Sequence, residues 1–162
     1  MIELTENIII NADCQAVWAF LTDVRKSLSY NRFHVEIILP NQFSVNNKSE
    51  FIIIHNFGFG NLEMNAKVLE CIPIKRLCIT KKASVDASKG FPHGLTFEIF
   101  EEGKCTRLES SVSGTYGGRV QDLSFTPILK GVLKEEIIKI KNAIESSEKI
   151  PNNAMVGSLS PL

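Results

Sequence analysis

The 162-residue sequence lacks the features that mark several classes of protein. It contains no CxxC pair, and its four cysteines and three histidines are scattered along the chain. It has no apolar run approaching the roughly 20 residues that cross a bilayer. Its 18 Lys and Arg are balanced by 18 Asp and Glu. We therefore expect no metal site, no cofactor, no stable membrane insertion and no nucleic-acid partner, since binding a phosphate backbone requires a basic surface.

A secretory leader is also not evident. The first ten residues contain Glu3 and Glu6 and no basic segment, so we expect a cytoplasmic protein whose cysteines are buried thiols. The basic pairs at 75–76 and 81–82 lie at the start and near the end of one predicted strand, where neighbouring side chains point to opposite faces. We expect them to be solvated charges at a sheet edge.

The hydropathy pattern predicts one domain over residues 1–148 and a flexible tail over 149–162. Alternating apolar residues with β-branched and aromatic side chains are typical of strands. Turn-forming residues separate these segments, which favours antiparallel neighbours. The predicted strands are 2–10, 32–39, 50–57, 61–70, 76–83, 94–101 and 106–114.

Helices are predicted on both sides of the six consecutive strands. Asp13 can cap a first helix, because its carboxylate can accept from the free N–H groups of the first turn. A second short helix follows from Thr22 and ends near Asn31. Thr126-Pro127 is a typical helix start, so we expect the last helix over roughly 127–148. Two apolar stripes define the buried faces of the first and last helices: Val17, Phe20, Leu21 and Val24, and Leu129, Leu133, Ile137, Ile140 and Ile144.

Four segments resemble the START-like, or SRPBCC, superfamily, which includes polyketide cyclase/dehydrase-like and birch-pollen-allergen-like proteins. They are "IIINADCQAVWAFLTD" (8–23), "VLECIPIKRL" (68–77), "GKCTRLES" (103–110) and "LKEEIIKIKNAIE" (133–145). The resemblance implies an α+β helix-grip fold, in which a curved antiparallel sheet of about seven strands wraps around a long C-terminal helix. It also implies a mostly apolar cavity between sheet and helix.

His55 is the first candidate for chemistry, because it alternates with Phe51, Ile53 and Phe57 along one strand. If that face is internal, His55 is a polar group in an apolar cavity and could act as an acid or base. If Ile52 and its neighbours face inward instead, His55 lies at the surface. Tyr116, at a glycine-rich junction, is the second candidate. We expect His93 to be a turn histidine exposed to water, with a place at the cavity rim as the alternative.

If the cavity exists, residues from the strand faces and the helices would contact a ligand. Trp18 is interpreted mainly as a packing anchor of the first helix and otherwise as a cavity wall. The predicted ligand-binding residues are Trp18, Tyr30, Phe51, Ile53, His55, Phe57, Leu95, Phe97, Tyr116, Leu129 and Leu133.

Three functional hypotheses remain open. The first is a protein that binds a small hydrophobic molecule, such as a lipid, polyketide, aromatic or isoprenoid-like compound. The second is a cyclase- or dehydrase-type enzyme acting on such a molecule, although no catalytic constellation can be read from the sequence. The third is a protein-interaction module of co-chaperone or toxin-like type, for which Ile138 and the apolar tail residues Met155, Val156 and Leu159 are the only hints.

Overall fold

The computed structural model describes residues 1–58, 60–86 and 90–148. It contains seven strands, each close to a predicted one. The bounds are β1 Ile2–Ile10, β2 His34–Ile38, β3 Glu50–Asn56, β4 Asn61–Ile72, β5 Arg76–Ala83, β6 His93–Glu102 and β7 Cys105–Gly114.

The strands form a single antiparallel sheet in the order β1-β7-β6-β5-β4-β3-β2. Consecutive strands from β2 to β7 are neighbours, and β1 pairs with β7 at the far edge. The sheet curls into a half-barrel. β5 therefore lies at the centre of the sheet, with β4 on one side and β6 on the other.

Two short helices, α1 Cys14–Thr22 and α2 Val24–Ser27, follow β1 and lead into a single 3-10 turn, Leu28–Tyr30. Asp13 caps α1 as predicted, because its carboxylate accepts from the Ala16 N–H at 2.8 Å. The predicted stripe of the first helix is buried in the main core.

The long helix α3, Arg119–Glu148, packs against β1, β7 and α1. The predicted start at Thr126-Pro127 is wrong, because α3 begins at residue 119. The first turns are held by the N–H of Asp122, which donates to the Gly118 carbonyl at 2.9 Å. Pro127 lies inside the helix and cannot donate to the carbonyl four residues earlier. It is tolerated there because Pro127 and Leu123 are both exposed, so water can solvate that carbonyl.

Burial along α3 follows the predicted apolar stripe. Leu129, Leu133, Ile137, Ile140 and Ile144 are all buried. The last three belong to the main core. Leu129 belongs instead to a smaller cluster with Ile2 and Phe91. The main core thus packs along the C-terminal part of α3, and the smaller cluster packs nearer its N-terminal part.

The cysteines are less buried than expected. All four are unpaired thiols, and each is only partly buried. Among the described residues, no helix is long and apolar enough to cross a membrane. Within those same ranges, no group of three or more His, Cys, Asp or Glu side chains is arranged to hold a metal ion.

Candidate ligand-binding and acid–base site

An apolar vestibule of about 550 Å³ opens between α3 and the start of β4. Its volume is within the range of ordinary small-molecule sites. Four aromatic side chains dominate its wall, together with aliphatic side chains from β4 and α3. The lining residues are Phe33, Phe57, Gly60, Asn61, Leu62, Gly90, Tyr116, Phe125, Ile128 and Leu129.

A second, much smaller cavity lies directly beyond the vestibule. Its volume is about 30 Å³, which is room for one or two water molecules. Phe33, Phe57 and Leu129 line both spaces and form their shared wall. The rings of Phe33 and Phe57 are 5.1 Å apart. Unlike the vestibule, this polar cavity is also lined by Asn31, His34, His55, His93 and Glu136.

His55 projects from β3 into the polar cavity. The strand buries Phe51, Ile53 and His55, whereas Ile52 and Ile54 are only partly buried. His55 is 2% exposed. Within the described part of the chain, neither of its ring nitrogens has a hydrogen-bond partner. A buried imidazole with two free nitrogens is costly for the fold and is available to a guest molecule.

Lys81 lies on β5, at the centre of the sheet, and contacts His34, which lines the cavity. The expectation that it is a solvated edge charge is wrong, because it is 1% exposed. It shares the inner face of β5 with Leu77, Ile79 and Ala83, whereas Lys82 on the opposite face is exposed. Its Nζ lies 3.2 Å from Nε2 of His34.

The partners of His34 assign its tautomer. Nδ1 of His34 lies 2.6 Å from the carbonyl oxygen of Leu28, which can only accept, so Nδ1 carries the proton. The Nε2 atom is then free to accept from the Lys81 side chain. Both nitrogens of His34 are therefore occupied, in contrast to those of His55.

Glu136 supplies a carboxyl group from α3. It is 2% exposed, and its Oε2 accepts from Nδ2 of Asn31 at 2.9 Å. Its Oε1 is buried without a partner among the described residues. The cavity thus contains one unpartnered carboxyl oxygen in addition to the free nitrogens of His55.

Burial sets the charge of each group. It is the main cause that lowers the pKa of Lys81 to about 8 and raises that of Glu136 to about 7, while their opposite charges partly offset both shifts. Burial, followed by the positive charge of Lys81, lowers the pKa of His55 to about 2 and that of His93 to about 3. The same two causes hold the pKa of His34 well below its usual range. Near neutral pH the histidines are uncharged, and the acid and the amine titrate close to pH 7 and pH 8.

The fold brings together the three histidines, although they are far apart along the chain. The ring centroid of His55 is 4.5 Å from that of His34 and 6.2 Å from that of His93. The expectation that His93 is exposed to water is wrong. It is partly buried, lines the polar cavity, and donates from Nδ1 to the Phe91 carbonyl.

The predicted ligand-binding residues separate into two groups. His55, Phe57, Tyr116, Leu129 and Leu133 line the polar cavity, the vestibule or both. The other six lie elsewhere. Phe51 packs in the core and borders an open groove between β2 and β5. Trp18, Tyr30, Ile53, Leu95 and Phe97 lie in or against the main core, with Tyr30 stacked on Phe20 at 6.0 Å.

Tyr116 is part of an aromatic stack at the vestibule. Its ring is 4.5 Å from that of Phe91 and 4.3 Å from that of Phe125, measured between centroids. Burial and the nearby charge of Asp122 raise the pKa of the Tyr116 hydroxyl to about 12. Tyr116 is therefore a neutral wall residue at physiological pH.

Sequence reasoning missed the two charged residues of this region, although each carries a readable signal. Lys81 alternates with Leu77 and Ile79, so the period of the strand places it inside. Glu136 follows Val132 by four residues and Leu133 by three, so it lies on the apolar stripe of α3. A charge on a buried stripe is more informative than a charge on a solvated face.

Of the residues that suggested an interaction module, one lies within the described residues and the others lie outside them. Ile138 is 40% exposed on α3. Met155, Val156 and Leu159 lie outside the described residues, as does the rest of the predicted tail.

No family model matches the sequence, and no curated protein matches it. Solved structures do match in fold. DynU16, a putative protein in the dynemicin biosynthetic locus, has a TM-score of 0.65 at 15% identity, over 90% of this chain and 48% of its own. MLL2253 from Mesorhizobium loti has a TM-score of 0.66 at 16% identity, over 90% of this chain and 98% of its own. The di-domain ARO/CYC StfQ of the steffimycin biosynthetic pathway has a TM-score of 0.66 at 11% identity, over 90% of this chain and 51% of its own.

The fold is a helix-grip fold. These matches confirm the predicted α+β helix-grip fold. The chain spans about half the length of DynU16 and StfQ and nearly the whole of MLL2253. At these identities the likeness concerns the fold, and function has to be argued from the site.

Proposed function

We propose that this protein binds a small, largely apolar molecule in the vestibule, with a polar end of that molecule directed at the polar cavity. The observation that carries the proposal is that the two spaces adjoin and share the wall residues Phe33, Phe57 and Leu129. An apolar chamber that ends in a few convergent polar groups is the usual form of a small-molecule site.

The wall chemistry favours ring systems over flexible chains. Phe33, Phe57, Tyr116 and Phe125 present aromatic rings to the vestibule. Aromatic surfaces gain from offset or edge-to-face contact with a ring in addition to the area they bury. The similarity in fold to a protein named as an aromatase/cyclase supports the same class of ligand.

Binding can be tested with a neutral fluorescent probe, N-phenyl-1-naphthylamine, titrated against the purified full chain. We expect saturable fluorescence enhancement at one site. Ile128→Glu places a charge in the vestibule wall. It should weaken the binding of the probe by about tenfold or more, because the carboxylate would lose solvent when the probe binds.

The matched control is Ile138→Glu on the same helix. Ile128 is 51% exposed and Ile138 is 40% exposed, so both variants remove a similar apolar surface. Only Ile128 lines the vestibule. Equal loss in the two variants, or no probe binding to the unmodified protein, would contradict the proposal.

A second candidate function, acid–base catalysis on the bound molecule, is favoured by Glu136. A carboxyl group with a pKa of about 7 can take and return a proton at neutral pH. Its position in the cavity beside neutral His55 would place both at the polar end of a bound ligand. This is the kind of group that a cyclase- or dehydrase-type reaction requires.

The catalytic candidate can be tested without knowing the substrate. In deuterated water, the methyl protons of 2-acetylnaphthalene exchange slowly, and proton NMR measures the rate. Catalysis by this site predicts faster exchange with the unmodified protein than with Glu136→Gln at equal ligand occupancy. Equal rates at equal occupancy would leave the protein as a binder.

A further inference from the structure

The free polar atoms of the cavity specify which group of a ligand can enter it. His34 is saturated by Leu28 and Lys81, and Oε2 of Glu136 is bound by Asn31. Among the described residues, both ring nitrogens of His55 and the Oε1 atom of Glu136 line or border the cavity without a partner. A neutral imidazole offers one N–H donor and one acceptor nitrogen, and Glu136 as a carboxylate offers an acceptor.

We infer that the polar cavity receives a hydroxyl group, from an alcohol or a phenol, whose oxygen accepts from a His55 N–H and whose proton is donated to Oε1 of Glu136. This rests on the proposed function, because the remainder of the ligand lies in the vestibule. To reach the cavity, the hydroxyl end has to pass the wall of Phe33, Phe57 and Leu129 that lines both spaces.

Size supports a hydroxyl. The cavity volume of about 30 Å³ admits one or two groups of the size of water. A hydroxyl that takes the place of an ordered water can reproduce its hydrogen bonds, which preserves the interaction that the water made.

The charges around the cavity argue against a ligand whose polar end is a carboxylate or an ammonium group. Between about pH 7 and pH 8 the Lys81 ammonium and the Glu136 carboxylate balance each other inside the fold, and the histidines are neutral. A ligand carboxylate would add a second anion beside Glu136, and an ammonium would add a second cation near Lys81. Either would leave a net buried charge, which is far more costly than burying a neutral hydroxyl.

Hydrogen-bond balance separates a hydroxyl from a ketone or an ether. Those groups can accept from His55 but have no proton to donate, so the Oε1 atom of Glu136 would remain unpartnered when it is ionised. Sites built to pair with a hydroxyl discriminate strongly against analogues that lack it, because the protein group is then left without a partner.

The experiment compares 2-naphthol with 2-methoxynaphthalene, naphthalene and 2-naphthoate by displacement of N-phenyl-1-naphthylamine from the full chain. We expect 2-naphthol to bind about tenfold tighter than 2-methoxynaphthalene, which keeps the oxygen but lacks its proton. We expect naphthalene to bind comparably to the ether, and 2-naphthoate to bind most weakly.

Two variants test the residues. His55→Phe, and the double variant Lys81→Met with Glu136→Met that removes both charges together, should each reduce the 2-naphthol to 2-methoxynaphthalene ratio to near one. Lys82→Met on the outer face of β5 should retain the full ratio.

The outcomes separate the two proposals. If the unmodified protein binds all the neutral ligands equally, the hydroxyl site is overturned while the apolar vestibule stands. If 2-naphthoate binds best, the cavity is an anion site and the inference is also wrong. If neither the probe nor any naphthalene derivative binds, the proposed function itself fails.

Discussion

Lys81 Nζ lies 3.2 Å from Nε2 of His34 in the interior of the half-barrel, where the Lys81 side chain is fully enclosed. Lys81 is not among the residues that line the vestibule or the polar cavity. Its effect is electrostatic. After burial, its positive charge is the next cause that lowers the pKa of the neighbouring imidazoles, and it partly offsets the raised pKa of Glu136.

That electrostatic role predicts the titration of Glu136. In Lys81→Met the attraction that lowers the pKa of Glu136 is lost, so its pKa should rise above 7. Carbon-13 NMR of the Glu136 carboxyl measures this directly. Lys82→Met removes an exposed charge from the adjacent position and should leave the titration unchanged. An unchanged pKa in Lys81→Met would mean that the two groups are not coupled.

His55 should make the fold sensitive to acid. Its pKa is about 2 in the folded protein and about 6.5 in the unfolded chain, so between these values the unfolded chain binds one more proton. The free energy of unfolding therefore falls as the pH falls through this window. In His55→Phe the dependence should be shallower by about 1.4 kcal/mol per pH unit between about pH 4 and pH 5.5.

Urea unfolding of both proteins over that range measures the difference, and contributions from the other titrating groups largely cancel in the comparison. Phe57→Leu changes a neighbouring residue that has no proton to exchange, and it should retain the slope of the unmodified protein. Parallel curves for His55→Phe and the unmodified protein would contradict the burial of His55 as a neutral group.

Alanine substitutions at two glycines should change the stability of the protein in opposite directions. A Cβ at Gly114 would lie 2.5 Å from the carbonyl oxygen of Pro92 and 2.8 Å from Cβ of His93, so Gly114→Ala forces β7 and β6 apart. We expect destabilisation by about 1–3 kcal/mol. A Cβ at Gly131, on the exposed face of α3, meets nothing within 4 Å.

Gly131→Ala should therefore stabilise the protein by about 0.5–1 kcal/mol through helix propensity. Thermal and urea unfolding of the two variants provide the comparison. A neutral Gly114→Ala would show that the approach of β7 to the strand carrying His93 is looser than the structure indicates.

Asp122 should hold the first turns of α3 to the end of β7. Its Oδ1 accepts from the Tyr116 N–H at 2.7 Å, and the Thr115 hydroxyl donates to the same carboxylate. In Asp122→Ala these donors lose their partner, and amide hydrogen exchange over residues 116–126 should accelerate. Gln121→Ala, at the exposed neighbouring position, should leave exchange in that segment nearly unchanged.

The sequence predicts much of this fold because the period of each element is clear. The strand face of Phe51, Ile53 and His55 and the apolar stripe of α3 are local patterns, and both are buried. The start of α3 was not predictable from Thr126-Pro127 because most of the residues from Arg119 to Ser124 are exposed, and the apolar ones among them lie outside the buried stripe. Solvent exposure is also what allows Pro127 to remain inside the helix.

The candidate site was less predictable because it depends on the positions of distant segments. His34 and His55 are paired on the neighbouring strands β2 and β3. His93 lies on β6, which β5 and β4 separate from β3, so the curl of the sheet is what brings it close. The sequence pattern predicts an edge position for Lys81 because it does not reveal that β5 is the central strand. The identity of the buried charges follows from periodicity, whereas their mutual distances require the tertiary structure.

The central claim is that a ligand enters the vestibule between α3 and β4. Methyl-labelled leucine and isoleucine side chains report the location directly when the full chain is titrated with N-phenyl-1-naphthylamine and followed by NMR. We predict saturable shifts at Leu62, Ile128 and Leu129, with Ile138 unaffected. Shifts confined to Ile38 and Leu39, which border the open groove along β2 to β5, would place the ligand elsewhere and contradict this account.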